Sequence, residues 1–381
     1  MSRIRRADTP EEPRMTDGGA DSGDQTLTRV MIVDDSLTVR TIFKRMVESD
    51  GALTVAGTAS SAERAIAQLA ATPTDVVLLD LEMPGMGGLE ALPSILKTAS
   101  DAQVLVVSSL TQDGAEHTVS ALSMGAADTM LKPRPGGFNE EYRSQLLSKI
   151  RALGGAPSSD EGSADKFVRN ADETNATPAA KLRQIAKRPE VLAIGASTGG
   201  IHALNVMMRQ ISPDFDLPIL ITQHLPASFI PVFARQMEMA CSRPAVIAED
   251  GTEIRKGQVA IATGHGHMVV RRIGDRLVVR TSAEPARSGC LPSVDPMFES
   301  LAHACDGRVM AVVLSGMGRD GLEGASEIAR LGGTILAQNA ETSAVWGMPG
   351  AVAKAGLTSL VASPEELGRA VMKQTEVAAS S

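Results

Sequence analysis

The sequence predicts an α/β protein of two doubly wound, mainly parallel sheets in series. Three observations carry that reading. Short apolar runs alternate with amphipathic stretches, the pattern of buried parallel strands joined by crossover helices. The alternation breaks at Gly154-Gly155-Ala156-Pro157-Ser158-Ser159 and resumes at Val191. The chain of 381 residues is also longer than the ~100 to 200 usual for one domain.

Taken in order, residues 1–27 mix Pro, Gly, Asp and Arg without apolar periodicity and read as a flexible tail. The first domain, 28–150, has strand patterns at 30–33, 53–56, 76–79, 104–107 and 129–131, with helical patterns between them at 39–47, 62–69 and 116–124. Residues 151–189, rich in Gly, Ser, Asp, Asn and Ala, read as a linker. The second domain, 190–375, opens with a strand pattern at 191–194 and continues at 219–222, 309–314 and 334–337. Between these, 259–262, 268–270 and 277–279 are short and broken by Gly and charge, so an antiparallel insertion is expected there. Residues 376–381 read as a second tail.

Composition excludes several functions. Lys and Arg total 37 against 45 Asp and Glu, a net charge of -8, which argues against a broadly basic nucleic-acid surface. Aromatic residues are only 2%, too few for base-stacking platforms. Apolar runs such as Val76-Val77-Leu78-Leu79 fall far short of the ~20 residues that span a bilayer. The start, Met1-Ser2-Arg3-Ile4-Arg5-Arg6, is not followed by the apolar stretch of a secretory signal. A cytoplasmic protein without membrane insertion is expected. Cys241, Cys290 and Cys305 lack metal-ligand spacing and fit reduced thiols.

In the first domain Asp34 and Asp35 follow the first strand, Asp80 ends the third, Ser108 the fourth and Lys132 the fifth. Carboxyl ends of parallel strands share one rim, where ligands collect. Three carboxylates gathered there repel one another unless a hard cation joins them, and Mg²⁺ takes oxygen ligands of this kind. An aspartate can accept a phosphoryl group as nucleophile, with Ser108 and Lys132 placed to bind its oxygens. Singly, each Asp reads as well as a strand end or helix cap. Together they resemble the receiver domain of bacterial two-component response regulators, a flavodoxin-like fold. The resemblance implies that Asp80 is the phosphorylation site. It also implies that Asp35 and Asp80 with the Glu82 carbonyl hold Mg²⁺, that Asp34 supports them, and that a histidine kinase is the donor.

The second domain opens with Gly195-Ala196-Ser197-Thr198-Gly199, an apolar strand running into a Gly-rich turn and a helix. Such a turn exposes a serine beside helix-terminal N–H groups, that of Thr198 first, which can stabilise an oxyanion. Alone it equally fits a phosphate-cradling turn or close strand-helix packing. A nucleophilic serine needs a base. Among the histidines, His224 follows the strand pattern 219–222 and so reaches the same rim. His117, His202 and His303 read as helix residues, and His265 and His267 as loop or substrate-side residues. Asp320 lies in the Gly-rich turn after 309–314; alone it reads as an N-cap, but on this rim it can orient an imidazole. The order Ser, His, Asp differs from the Ser, Asp, His of α/β-hydrolases.

Together with Pro292-Ser293-Val294-Asp295 and Gln338-Asn339-Ala340-Glu341-Thr342-Ser343, these residues resemble the chemotaxis protein-glutamate methylesterase (CheB) family. The resemblance implies a receiver followed by a hydrolase domain whose triad is Ser197, His224 and Asp320, with the Met317 N–H in the oxyanion hole. It implies demethylation of glutamate methyl esters on cytoplasmic helices of chemoreceptors, deamidation of receptor glutamines, a chemotaxis histidine kinase as phosphoryl donor, and no cofactor for the esterase. The alternative is a response regulator with a non-catalytic binding output domain, which would not require the complete Ser-His-Asp set.

Overall fold

In the computed structural model, which describes residues 27–109, 111–133, 137–155 and 188–379, the two domains form separate sheets. The first is built from β1 (Thr28–Val33), β2 (Leu53–Ala59), β3 (Val76–Asp80), β4 (Gln103–Ser108) and β5 (Asp128–Leu131). Helices α1 (Leu37–Glu48), α2 (Ala62–Leu69), α3 (Gly88–Thr98), α4 (Gln112–Met124) and α5 (Glu140–Leu153) connect and flank them. Strand order is β2-β1-β3-β4-β5, all parallel. The order reverses between β1 and β3, which opens a crevice at their carboxyl ends. Every residue of β3 is buried, because helices cover both faces of such a sheet. Ser36, Ser61, Thr111 and Asn139 each accept a backbone N–H in the first turn of the following helix, so the polar residues that break the apolar runs also start the helices.

The second domain has a seven-stranded parallel sheet and a small antiparallel one. Its strands are β6 (Val191–Ala196), β7 (Ile219–Gln223), β8 (Ala245–Ala248), β9 (Glu253–Ile254), β10 (Val259–Ala262), β11 (His267–Ile273), β12 (Arg276–Ser282), β13 (Val309–Val313), β14 (Thr334–Gln338) and β15 (Leu360–Ala362). Its helices are α6 (Gly200–Met208), α7 (Ile230–Cys241), α8 (Val294–Ala304), α9 (Leu322–Arg330), α10 (Met348–Lys354) and α11 (Pro364–Ala379). The main sheet runs β15-β14-β13-β6-β7-β10-β8. The order reverses between β6 and β13, so the turns after β6, β7 and β13 converge.

Three boundaries differ from those expected. The run 259–262 is not part of the antiparallel insertion: β10 lies in the main sheet, parallel to β7 and β8. All four of its residues are buried, which alternation with solvent would not allow. The insertion consists of β11, β12 and β9, and β11 ends in exposed Arg271, Arg272 and Ile273. Helix α5 extends through Leu153, into the stretch read as linker, and α11 reaches Ala379, beyond the boundary of the expected tail. Residues 1–26 and 156–187 of the first tail and linker lie outside the described residues.

The core has three parts. One cluster fills the α1 and α5 side of the first sheet, and a second the α8 and α9 side of the other. The third runs unbroken from Val106 and Val119 of the first domain to Ile201 and Phe233 of the second, because α4 packs on α6 and α7. No helix among the described residues is long and apolar enough to cross a membrane.

Phe298 of α8 is fully buried beneath the site-bearing turns. Phe298→Ala should destabilise the second domain by about 3–5 kcal/mol, seen as a lower urea midpoint by circular dichroism. An unchanged midpoint would contradict its place in the core.

Candidate active site

Ser197 follows β6 on a turn pinned from three sides. Its N–H donates to the Ser315 carbonyl at 3.0 Å, its carbonyl accepts from Gln223 Nε2 at 2.9 Å, and Ser315 Oγ donates to the Thr198 carbonyl at 2.7 Å. Gly199 has φ of 76°, a left-handed turn that glycine adopts without a Cβ clash and that leads into α6. Gly316 is the second necessary glycine: a Cβ there would lie 2.8 Å from Ser197 Cβ. Its absence lets the 316–320 turn close over the serine.

The imidazole of His224 bridges Ser197 and Asp320. Nδ1 lies 3.0 Å from Ser197 Oγ and Nε2 lies 2.8 Å from Asp320 Oδ2. A carboxylate only accepts, so the neutral ring carries its proton on Nε2 and turns the Nδ1 lone pair toward the hydroxyl. The His224 N–H donates to the Ala196 carbonyl at 3.0 Å, fixing where the ring leaves the backbone. Burial disfavours its charged form, but the bonds to Asp320 and the neighbouring Cys290 outweigh this and raise its pKa to about 9.

Asp320 is 2% exposed. Burial alone would raise its pKa, yet His224, Ser293 Oγ and the Val294 N–H hold it well below the usual carboxylate range. Ser293 Oγ donates to Oδ1 at 2.6 Å and the Val294 N–H to Oδ2 at 2.7 Å. Asp295 beside it is pushed up to about 7, chiefly by burial and by the charge of Asp320.

The structure therefore brings together Ser197, His224 and Asp320, and sets Thr198 and Met317 on the two turns that border the serine. Met317 is on the exposed side of its turn, whereas Thr198 is buried. The other histidines are elsewhere or differently engaged. His117 and His265 are exposed, and His303 pairs with Glu327 on the surface at 3.0 Å. His202 Nδ1 lies 3.1 Å from the Ser123 carbonyl. His267, read as a loop or substrate-side residue, is instead buried in β11 and accepts the Ser293 N–H. Residues missed from sequence include Cys290, whose thiol groups with His224 and Asp320 within 4.8 Å. Ser293 was visible only as part of a motif, without a role.

The first domain's rim gathers Asp34, Asp35 and Asp80, with one oxygen of each within 4.8 Å of the others. Lys132 Nζ reaches Asp80 Oδ2 at 2.6 Å and Asp34 Oδ2 at 3.1 Å. Asp80 is 1% exposed, and burial, with Asp34 adding to it, raises its pKa to about 6 against the opposing pull of Lys132. The Glu82 N–H donates to Asp80 Oδ1 at 3.0 Å. Ser108 Oγ is buried without a hydrogen-bond partner among the described residues. Crowded carboxylates beside an unsatisfied hydroxyl and an amine fit a divalent cation together with a tetrahedral anion.

The first domain also touches the serine turn. Thr198 Oγ1 donates to Asp128 Oδ2 at 2.6 Å and the Gly199 N–H to the Ala127 carbonyl at 2.5 Å. Asn205 Nδ2 donates to Ser123 Oγ at 2.9 Å and Arg235 to Glu116 at 2.9 Å. The start of β5 and α4 thus lie directly against the residues that follow Ser197.

Comparison with known proteins gives a consistent picture. Residues 192–371 match the CheB methylesterase family and residues 30–137 the response regulator receiver domain. A Rhodospirillum rubrum protein named protein-glutamate methylesterase/protein-glutamine glutaminase 1 is 39% identical, over 91% of this chain and 94% of its own. A Caulobacter vibrioides protein of the same name, numbered 2, is 41% identical over 89% of this chain and 96% of its own. An Azospirillum brasilense counterpart is 37% identical over 96% of both chains.

Neutral His224 is the form able to accept a proton, and its population grows as pH rises through about 9. In a nuclear magnetic resonance titration the ring should therefore change state well above the ordinary ~6.5. Asp320→Asn removes the carboxylate that, with Cys290, raises it and should move the midpoint down. A wild-type midpoint at or below 6.5 would contradict this electrostatic reading.

Proposed function

The chain belongs to the CheB methylesterase family, and from that premise we propose that it is a phosphorylation-regulated serine hydrolase. It removes methyl groups from glutamate γ-methyl esters on the cytoplasmic helices of chemoreceptors and deamidates receptor glutamines. The observation that carries this reading is the bonded series Ser197 Oγ, His224, Asp320 at 3.0 Å and 2.8 Å, which a non-catalytic binding domain does not require.

Ser197 Oγ attacks the ester carbonyl while its proton passes to His224 Nδ1, and Asp320 stabilises the imidazolium across Nε2. The Thr198 and Met317 N–H groups, on the turns beside Ser197, are the proposed donors to the oxyanion. His224 returns the proton to the departing methoxy group and methanol leaves. Water, deprotonated by the same ring, then cleaves the acyl-enzyme to glutamate and free Ser197. With a glutamine the leaving group is ammonia. Every step uses side chains and backbone N–H groups of this domain, so the esterase is proposed to need no cofactor.

In the receiver domain Asp80 is the proposed nucleophile toward phosphohistidine of a chemotaxis histidine kinase: the P–N bond breaks as the Asp80 O–P bond forms. Asp34, Asp35 and Asp80, with the Glu82 carbonyl, would hold Mg²⁺, which supplies positive charge to the phosphoryl oxygens when bound. Lys132 and Ser108 would bind those oxygens. A cytoplasmic location follows from these partners.

Regulation is proposed to act through the contact on the serine turn. With Ala127 and Asp128 bound to Gly199 and Thr198, the receiver occupies the approach that a receptor helix needs. Lys132 follows directly on β5 while Asp128 begins it, so a phosphoryl group that redirects Lys132 acts on the strand that holds the turn. A tenfold change in the open population takes only ~1.4 kcal/mol, within the usual range of coupling between sites.

Ser197→Ala should abolish methanol release from methylated receptor membranes, with the circular dichroism spectrum unchanged. Turnover near wild type in the folded variant would defeat the nucleophile assignment. Asp128→Ala should raise methanol release by the unphosphorylated enzyme several-fold and shrink the response to a phosphoryl donor. Unaltered basal activity would show that this contact does not restrain the enzyme.

A further inference from the structure

Asp320 orients His224, and something must in turn orient Asp320. Its buried carboxylate accepts from His224 Nε2 and the Val294 N–H on Oδ2, and from Ser293 Oγ, the Gly321 N–H and the Asp295 N–H on Oδ1. Four of these five donors are groups that main-chain geometry or the triad itself supplies. Ser293 is the only side chain among them besides His224, and at 2.6 Å its bond is the shortest.

Ser293 is itself held. It is fully buried, its N–H donates to His267 Nδ1 at 2.9 Å, and Ser288 Oγ donates to its hydroxyl at 3.2 Å. Because His267 Nδ1 accepts a backbone N–H, that nitrogen carries no proton, and the neutral ring must be protonated on Nε2. With acceptance from Ser288 settled, the Ser293 proton has one direction left, toward Asp320 Oδ1.

We propose that Ser293 is a positioning residue of the hydrolase, a hydroxyl that locks the Asp320 carboxylate in the plane of the His224 ring, and that His267 serves as its anchor and not as a base. This goes beyond the triad and rests on the esterase reading for its kinetic consequence. A hydrogen bond from Ser293 withdraws charge from Asp320 and so limits how strongly Asp320 holds the His224 proton. Without that bond the carboxylate is more basic and free to rotate. His224 should then keep its proton to higher pH while losing alignment with Ser197. The other titratable groups facing this cluster, Cys290 beside His224 and Asp295 behind Asp320, are the same in every variant.

The test is Ser293→Ala in the full-length protein, with two measurements. In the nuclear magnetic resonance titration the His224 midpoint should move upward by about one unit, the size expected for losing a bond to a charged group. This is opposite in sign to Asp320→Asn. Methanol release near neutral pH should fall about tenfold or more in kcat with KM unchanged, and Ser293→Thr, which keeps the hydroxyl, should restore much of it. A midpoint that stays in place or falls would overturn the proposal, as would a change confined to KM. The titration uses no substrate, so an absence of methanol release from every variant including wild type would count against the esterase reading and leave the midpoint to decide on Ser293. If Ser293→Ala fails to fold, the anchor decides instead. His267→Asn keeps an acceptor near Nδ1 and should leave the midpoint in place, whereas His267→Leu should move it upward; equal midpoints in the two would overturn the proposal.

Discussion

A buried negative charge is costly unless protein groups replace the water it has lost, and in this protein the carboxylate of Asp320 imposes that requirement on its surroundings. Five donors from three segments meet on its two oxygens. The Val294 and Asp295 N–H groups lie in the first turn of α8, where helical amides have no partner within the helix and the dipole favours an anion. The Gly321 N–H comes from the turn leading into α9. The requirement to solvate one carboxylate therefore draws the starts of two helices and the motif 292–295 to the carboxyl end of β13. His224 meets Asp320 there with one nitrogen and Ser197 with the other.

The charge is retained because it is satisfied. Donors hold Asp320 below the usual carboxylate range, and its bond to His224, together with the neighbouring Cys290, raises that ring. Asp295, nearby but with fewer donors, is pushed the other way to about 7. Two neighbouring carboxyls thus differ in protonation because one receives the helix-terminal amides and the hydroxyl while the other is buried with the Gly324 N–H as donor and faces the charge of the first.

The two domains are organised by the same principle at different rims. In each, apolar parallel strands end in polar residues and the sheet order reverses beside them, leaving a crevice. They differ in what the crevice gathers: three carboxylates and a lysine in one, a serine, imidazole and carboxylate in the other. Besides the packing of α4 on α6 and α7, what joins them is β5, only four residues long, with Lys132 just after it at the carboxylate rim and Asp128 at its start on the serine turn. Asp128 Oδ2 also accepts from Lys149 of α5 at 2.5 Å, so the group that grips Thr198 is fixed from within its own domain. Around that contact the apolar cluster is continuous between domains, which makes separation of the two a matter of exposing packed surface as well as breaking polar bonds.

The amino-acid sequence by itself determined the two α/β domains and the residues at the strand ends: Asp34, Asp35, Asp80 and Lys132 in one, Ser197, His224 and Asp320 in the other. These were legible because they follow an apolar run closely or, for Asp320, lie in the Gly-rich turn after one, and a parallel sheet turns that local order into a common rim. The placement of β10 was not legible, since four apolar residues fit an antiparallel hairpin or a buried parallel strand until their neighbours are known. Nor were the roles of Ser293, His267 and Cys290, or the grip of Asp128 on Thr198. Those bonds join residues 26, 27 and 70 positions apart, and no periodicity or spacing encodes which distant groups meet. Only the tertiary structure decided that the His224 ring offers Nδ1 to the serine and Nε2 to the carboxylate, because the direction of a side chain is set by the packed groups around it and not by its place in the chain.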